Sequence, residues 1–172
     1  DVSSQNTVQT SAVETTEETP QAYVQNTIAD TASSYNVNPS KGKYIMNYNI
    51  PDKFMSFDSQ NEDYYDINLG RNKILMADKN IDNIASQKWY IDDDYNLILA
   101  SSSQPQCLKT YKSYGNDPTS VIPTTDFTQC SKWMQNDQGY IIDKESNPLT
   151  CMSYSDSEYG LIMENCPENT II

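Results

Sequence analysis

The side chains able to do chemistry here are four cysteines, 24 acids, 13 tyrosines and two tryptophans; there is no histidine. Without histidine there is no Ser-His-Asp or Cys-His nucleophile and no imidazole metal ligand. The usual proton shuttle near neutral pH is missing too. Cys107, Cys130, Cys151 and Cys166 are even in number and lie in the last 66 residues. None has the CxxC spacing of a zinc site. Two disulfides are therefore expected, with three pairings open. Bridges imply the secretory pathway or the cell exterior, and bridged sulfurs are not nucleophiles. The acids offer no pair that stands out for glycoside hydrolysis. Asp92-Asp93-Asp94 with Asn96 carries oxygen ligands of the kind calcium takes. It lacks the Gly and distal Glu of an EF-hand and falls where a tight turn belongs. The expectation is no enzyme, no metal and no cofactor.

Charge narrows the partners. Eleven basic residues against 24 acidic ones leave a formal charge of −13. That balance gives no electrostatic reason to hold nucleic acid or an anionic membrane surface. No 18-residue apolar run is present, so no membrane insertion is expected. What remains is recognition. A sugar site needs an aromatic face for stacking and a carboxylate or amide to fix hydroxyls. The best constellation is Asp58, Tyr64, Tyr65 and Gln87. The competing reading gives these residues structural work. The tyrosines would cover the core, Asp58 would cap a turn and Gln87 would bond the backbone.

Two kinds of chain must position these residues. Residues 1–40 contain no Lys or Arg, carry Asp1, Glu14, Glu17, Glu18 and Asp30, and are dense in Ser, Thr and Gln. So little apolar surface does not offset ordering entropy, so this segment reads as a disordered acidic arm. Ala22, Val24, Ile28 and Ala32 roughly follow helical spacing within it. From residue 41 the runs are short, β-branched or aromatic, and bounded by Asn, Asp, Ser, Gly and Pro. That pattern is all-β, with a strand about every ten residues.

Residues 41–172 also repeat themselves. At an offset of 44, Lys88-Trp89 falls on Lys132-Trp133, Ile98 on Ile142, and Cys107-Leu108 on Cys151-Met152. A fainter first copy lies upstream. Ile45 to Phe54 spans nine residues, as do Ile98 to Cys107 and Ile142 to Cys151, with Phe54 in the cysteine position. Each copy ends in an apolar run: Ile74-Leu75-Met76, Val121-Ile122 and Leu161-Ile162-Met163. One copy cannot bury its own apolar side chains. Three copies of about four strands are therefore expected to close on one core, with Trp89 and Trp133 as anchors.

On these residues the chain resembles the ricin-B-type β-trefoil lectins. Gln87-Lys88-Trp89 is similar to their Gln-x-Trp signature, and the in-register cysteines to their paired cysteines, over roughly 130 residues from Tyr44 to Ile172. The resemblance implies a β-trefoil over 41–172 with bridges Cys107–Cys130 and Cys151–Cys166, each worth ~3 kcal/mol. It implies secretion and binding of a glycan or glycoprotein on a cell surface or extracellular coat. It also brings to mind a toxin-delivery subunit, although no catalytic partner is identifiable. The departures point elsewhere. Sugar-binding members carry an Asp two residues after the first cysteine; here Ser56, Lys109 and Ser153 hold that position. The second copy has Ser131 for Gln, and the third reaches Ile172 without a Gln-x-Trp. These losses imply the alternative of a structural or protein-interaction piece of an extracellular assembly.

Overall fold

Alternating branched and aromatic side chains favour extended pairing over helix, and the computed structural model has thirteen short strands among the described residues. Those residues are 37–47, 49–67, 70–100, 105–112, 115–155 and 159–171. Residues 1–36, with the helical spacing between Ala22 and Ala32, lie outside them. The only helical elements described are 3-10 turns of three or four residues. Val37 and Asn38, within the segment read as an arm, already touch the strands. Val37 packs beside Ile98 and the Cys107–Cys130 bridge, and the Asn38 amide donates to the Tyr90 hydroxyl at 3.0 Å.

The first copy supplies β1 (Met46–Asn47), β2 (Ile50–Ser56), β3 (Tyr65–Asp66), β4 (Arg71–Asn72) and β5 (Leu75–Ala77). The second supplies β6 (Trp89–Ile91), β7 (Leu97–Leu99), β8 (Gln106–Lys112) and β9 (Thr119–Thr124). The third supplies β10 (Trp133–Gln135), β11 (Ile141–Asp143), β12 (Thr150–Tyr154) and β13 (Leu161–Asn165). The second and third copies form one eight-stranded antiparallel sheet, ordered β10-β11-β12-β13-β9-β8-β7-β6. Its two ends approach each other: the Trp133 amide at the start of β10 donates to the Tyr95 carbonyl, between β6 and β7, at 2.7 Å. The first copy instead makes a three-stranded sheet, β1-β2-β5, and a β3-β4 hairpin.

The 44-residue offset survives as pairing register. Trp89, Tyr90 and Ile91 face Leu99, Ile98 and Leu97; Trp133, Met134 and Gln135 face Asp143, Ile142 and Ile141. Ile98 faces Cys107 as Ile142 faces Cys151. The next ladder pairs Phe54 with Ala77, Cys107 with Thr124 and Cys151 with Glu164 in the three copies. The first copy departs from the expected spacing at its first pair. Met46, rather than Ile45, faces Phe54, with an irregularity between Met46 and Asn47. The local causes are Pro51, which has no N–H to donate, and Asp52 at φ +66°.

The apolar runs meet in one core. Val121 and Leu161, at matching ladder positions, and Ile74, just before β5, are all buried, together with Met55, Phe57, Leu97, Leu99, Leu108 and both tryptophans. Each indole N–H donates to a carbonyl of the preceding copy: Trp89 to Met55 at 2.8 Å, Trp133 to Leu108 at 3.1 Å. Met55 and Leu108 hold the same ladder position. A buried indole needs such a partner, so each tryptophan both fills the core and ties one copy to the last. The third copy meets the first where the Leu161 amide bonds the Ile74 carbonyl at 3.1 Å. Gly160 makes this approach possible. It sits at φ +69°, and a Cβ there would run into the Ile74 carbonyl oxygen.

Candidate functional site

The Gln-x-Trp motif leaves a 3-10 turn, Ile84–Gln87, that delivers Trp89 to the core. Gln87 is itself buried, at 1% exposure. Its amide nitrogen donates to the Ser56 hydroxyl and to the Asp78 carbonyl, each at 2.7 Å; its oxygen accepts the Asn80 amide at 2.7 Å. A buried side-chain amide with these partners is a staple. It ties the end of β2 to the loop that follows β5.

The four residues proposed for sugar contact divide around this staple. Asp58 accepts the Gln60 amide at 2.9 Å and the Asn83 side-chain amide at 3.1 Å. Tyr64 is buried edge-on against Phe57, with ring centroids 6.1 Å apart. Burial pushes its phenol above the ordinary tyrosine range. A hydrogen bond with Ser56 opposes that shift, and the nearby Asp58 and Asp63 charges add to it. Ser56 therefore joins Tyr64 to Gln87, and Asn83 brings in Asp58. Tyr65, the next residue in β3, points the other way and is half exposed. Tyr64 ends the Glu62–Tyr64 3-10 turn and Tyr65 opens β3, and this junction separates the two rings. Of the four, only Tyr65 presents an open aromatic surface.

The second copy fills the same slot with charge. Lys109, in the position of Ser56, pairs with the Gln129 side-chain oxygen. Gln129 donates to Asp126 at 2.6 Å, and Asp126 caps the Phe127–Gln129 turn by accepting the Thr128 amide at 3.0 Å. The Thr128 hydroxyl adds a 2.6 Å bond. These Thr128 bonds foremost, then Gln129 and the Lys109 charge, hold the Asp126 carboxyl below the usual carboxylate range. Ser131, in the place of Gln87, accepts the Thr110 amide at 2.9 Å. The cross-link beside it is covalent: Cys107–Cys130 closes here and Cys151–Cys166 in the third copy. Both bridges follow the pairing that the family resemblance implies, and are compatible with an extracellular protein.

One cluster went unseen in the sequence. The Tyr44 ring lies 5.0 Å from Phe54, and two ammonium groups converge on it. Lys88 Nζ is 3.6 Å and Lys79 Nζ 5.4 Å from its centroid. Lys88 carried a signal, because Lys-Trp repeats at 132–133. Lys79 carried none, since it reaches Tyr44 only across the fold.

The Asp92–Asn96 segment is a turn held from within. Asp92 accepts the Asp94 and Asn96 amides at 3.1 and 2.7 Å and the Asn96 side chain at 3.0 Å. Asn136 plays the same part 44 residues on, accepting the Tyr140 amide at 2.9 Å. Among the described residues no group of three or more Cys, Asp or Glu is gathered as for a metal ion. No described helix is long and apolar enough to cross a membrane. Comparison of the chain with protein-family models, curated proteins and solved structures finds no match.

Proposed function

We propose that this chain is a secreted, non-catalytic recognition module of the ricin-B-lectin kind. It is a β-trefoil that binds a glycan or glycoprotein on a cell surface or extracellular coat. The observation that carries the reading is the repeated register with its indole link. A strand pairing recurs 44 residues apart, and each tryptophan bonds the carbonyl at one matching position of the copy before. Internal repetition around a shared core leaves the outer loops free to vary, which suits binding and asks for no reaction centre. Tyr65 is the contact residue in this reading, being the exposed aromatic among the four. Gln87 is a positioning residue.

The test is a glycan array on the purified chain. Hits are expected, and Tyr65→Ala should abolish them while leaving thermal unfolding unchanged. A blank array from a normally folded protein would remove the lectin reading. One observation favours a second reading, that of a structural or protein-interaction component of an extracellular assembly. Asp58, Tyr64 and Gln87 all spend their polar groups inside the molecule. On that reading a pull-down from native extracellular material recovers a protein that Tyr65→Ala no longer captures.

A further inference from the structure

We propose that Lys79 and Lys88, converging on Tyr44, form an anion-binding site for an acidic sugar, one bearing a carboxylate or sulfate. This rests on the glycan-recognition reading and names a ligand class for it. Two ammonium groups sharing one ring repel each other, and here neither pairs with a carboxylate among the described residues. Their neighbour Lys53 does find a partner, Asp78, at 2.8 Å.

The pair is also held in place. Gln87 fixes the Asp78 carbonyl and the Asn80 amide on either side of Lys79, and it is the residue before Lys88. One buried side chain therefore sets the backbone of both lysines. Gly42 closes the other side, where a Cβ would come within 2.9 Å of the Lys88 Cβ. The ring attracts each cation through its face, which orders the ammonium groups without neutralising them. Ordered, unneutralised cations are what a fixed anion requires, because the ordering cost is met before it arrives. The net negative field of the chain disfavours a long polyanion. A single acidic group on an otherwise neutral glycan meets the local cations without that penalty.

The experiment measures binding of three short oligosaccharide probes to the full chain: one ending in a uronic acid, one carrying a single sulfate, one neutral. The acidic probes are expected to bind at least about tenfold more tightly than the neutral one, with affinity falling as salt rises. Lys79→Ala with Lys88→Ala should remove that preference while thermal unfolding stays close to the parent. Lys79→Gln alone, a change at an exposed side chain, serves if the double variant unfolds. Preference for sulfate over carboxylate, or the reverse, identifies the source of the charge. Equal binding of acidic and neutral probes, or acidic binding that survives loss of both lysines, overturns the site. Acidic and neutral probes bound equally, with both lost in Tyr65→Ala, would leave the lectin reading standing and this site refuted.

Discussion

The first and second copies solve one mechanical problem with different chemistry. In each, the residues just before the tryptophan must be tied to the strand that carries its carbonyl partner. The first copy has Phe54 and Ser86 where the second has Cys107 and Cys130. It makes the tie with Gln87, a buried amide reaching Ser56, Asp78 and Asn80. The second copy has a disulfide, and the motif position shrinks to Ser131. A covalent link frees the neighbouring side chains from structural duty. This is why the second copy can place Lys109, Gln129 and Asp126 at the surface, while the first turns Ser56, Tyr64 and Gln87 inward.

The largest break in this comparison comes from removing the covalent tie. Replacing Cys107 and Cys130 by Ser should cost roughly 3 kcal/mol, the entropy of a loop of this size in the unfolded chain. Denaturant unfolding measures it, and the Trp133 environment should loosen with it. Trp89, tied by Gln87, should keep its own.

Gln87→Ala comes next, at roughly 2 kcal/mol, because it strands buried polar partners as well as losing bonds. Ser131→Ala, whose hydroxyl carries less, should cost about 1 kcal/mol. Equal costs at the two positions would mean that the disulfide does not relieve Ser131 of any load.

The sequence disclosed what is periodic and hid what is not. The all-β class followed from runs such as Leu97-Ile98-Leu99 between polar turns. The 44-residue register was visible because Trp and Cys are rare enough to mark positions, with Ile98 and Ile142 falling in step between them. The first copy was harder to read. Pro51 and Asp52 shift its register by one residue, and nothing in its spacing shows a slip. At the site, Gln87 was picked out by type and spacing, but its burial depends on Ser56, Asp78 and Asn80, all set by tertiary packing. Tyr64 and Tyr65 are indistinguishable as letters; only the junction between the Glu62–Tyr64 turn and β3 says which one faces the core. The Tyr44 cluster joins three segments distant in sequence, so no local pattern could announce it.

A smaller effect separates the second and third copies. Their first hairpins share one turn, whose left-handed residue is Tyr95 at φ +65° in one and Gly139 at φ +89° in the other. A bulky residue pays for that backbone, whereas glycine does not. Tyr95→Asn should therefore stabilise by about 0.5–1 kcal/mol, reduced by losing the Lys144 ammonium from the Tyr95 face. Gly139→Tyr should destabilise by a similar amount. A thermal shift of the opposite sign for Tyr95→Asn would mean the Lys144 contact outweighs the strain.

The smallest effect is a pH dependence that belongs to the second copy and not the first. Asp126 and Asn83 stand at matching N-terminal positions of their 3-10 turns, but only Asp126 caps its turn. Its carboxyl is held below the ordinary range, so the folded chain binds a proton there less readily than the unfolded chain. The stabilisation is complete above about pH 4, the ordinary Asp value, and disappears as pH falls through the lower folded value. Because the group is solvent-exposed, salt should weaken the Lys109 share and spare the Thr128 bonds. A titration followed by NMR at the Asp126 carboxyl should show the lowered midpoint, and Lys109→Met should raise it slightly. Asn83→Asp is the reciprocal test. It sets a carboxylate against Asp58, whose oxygen now accepts the Asn83 amide, so it should destabilise at neutral pH and recover on mild acidification. An acid limb unchanged by Asp126→Asn would show that the two copies do not differ in this respect.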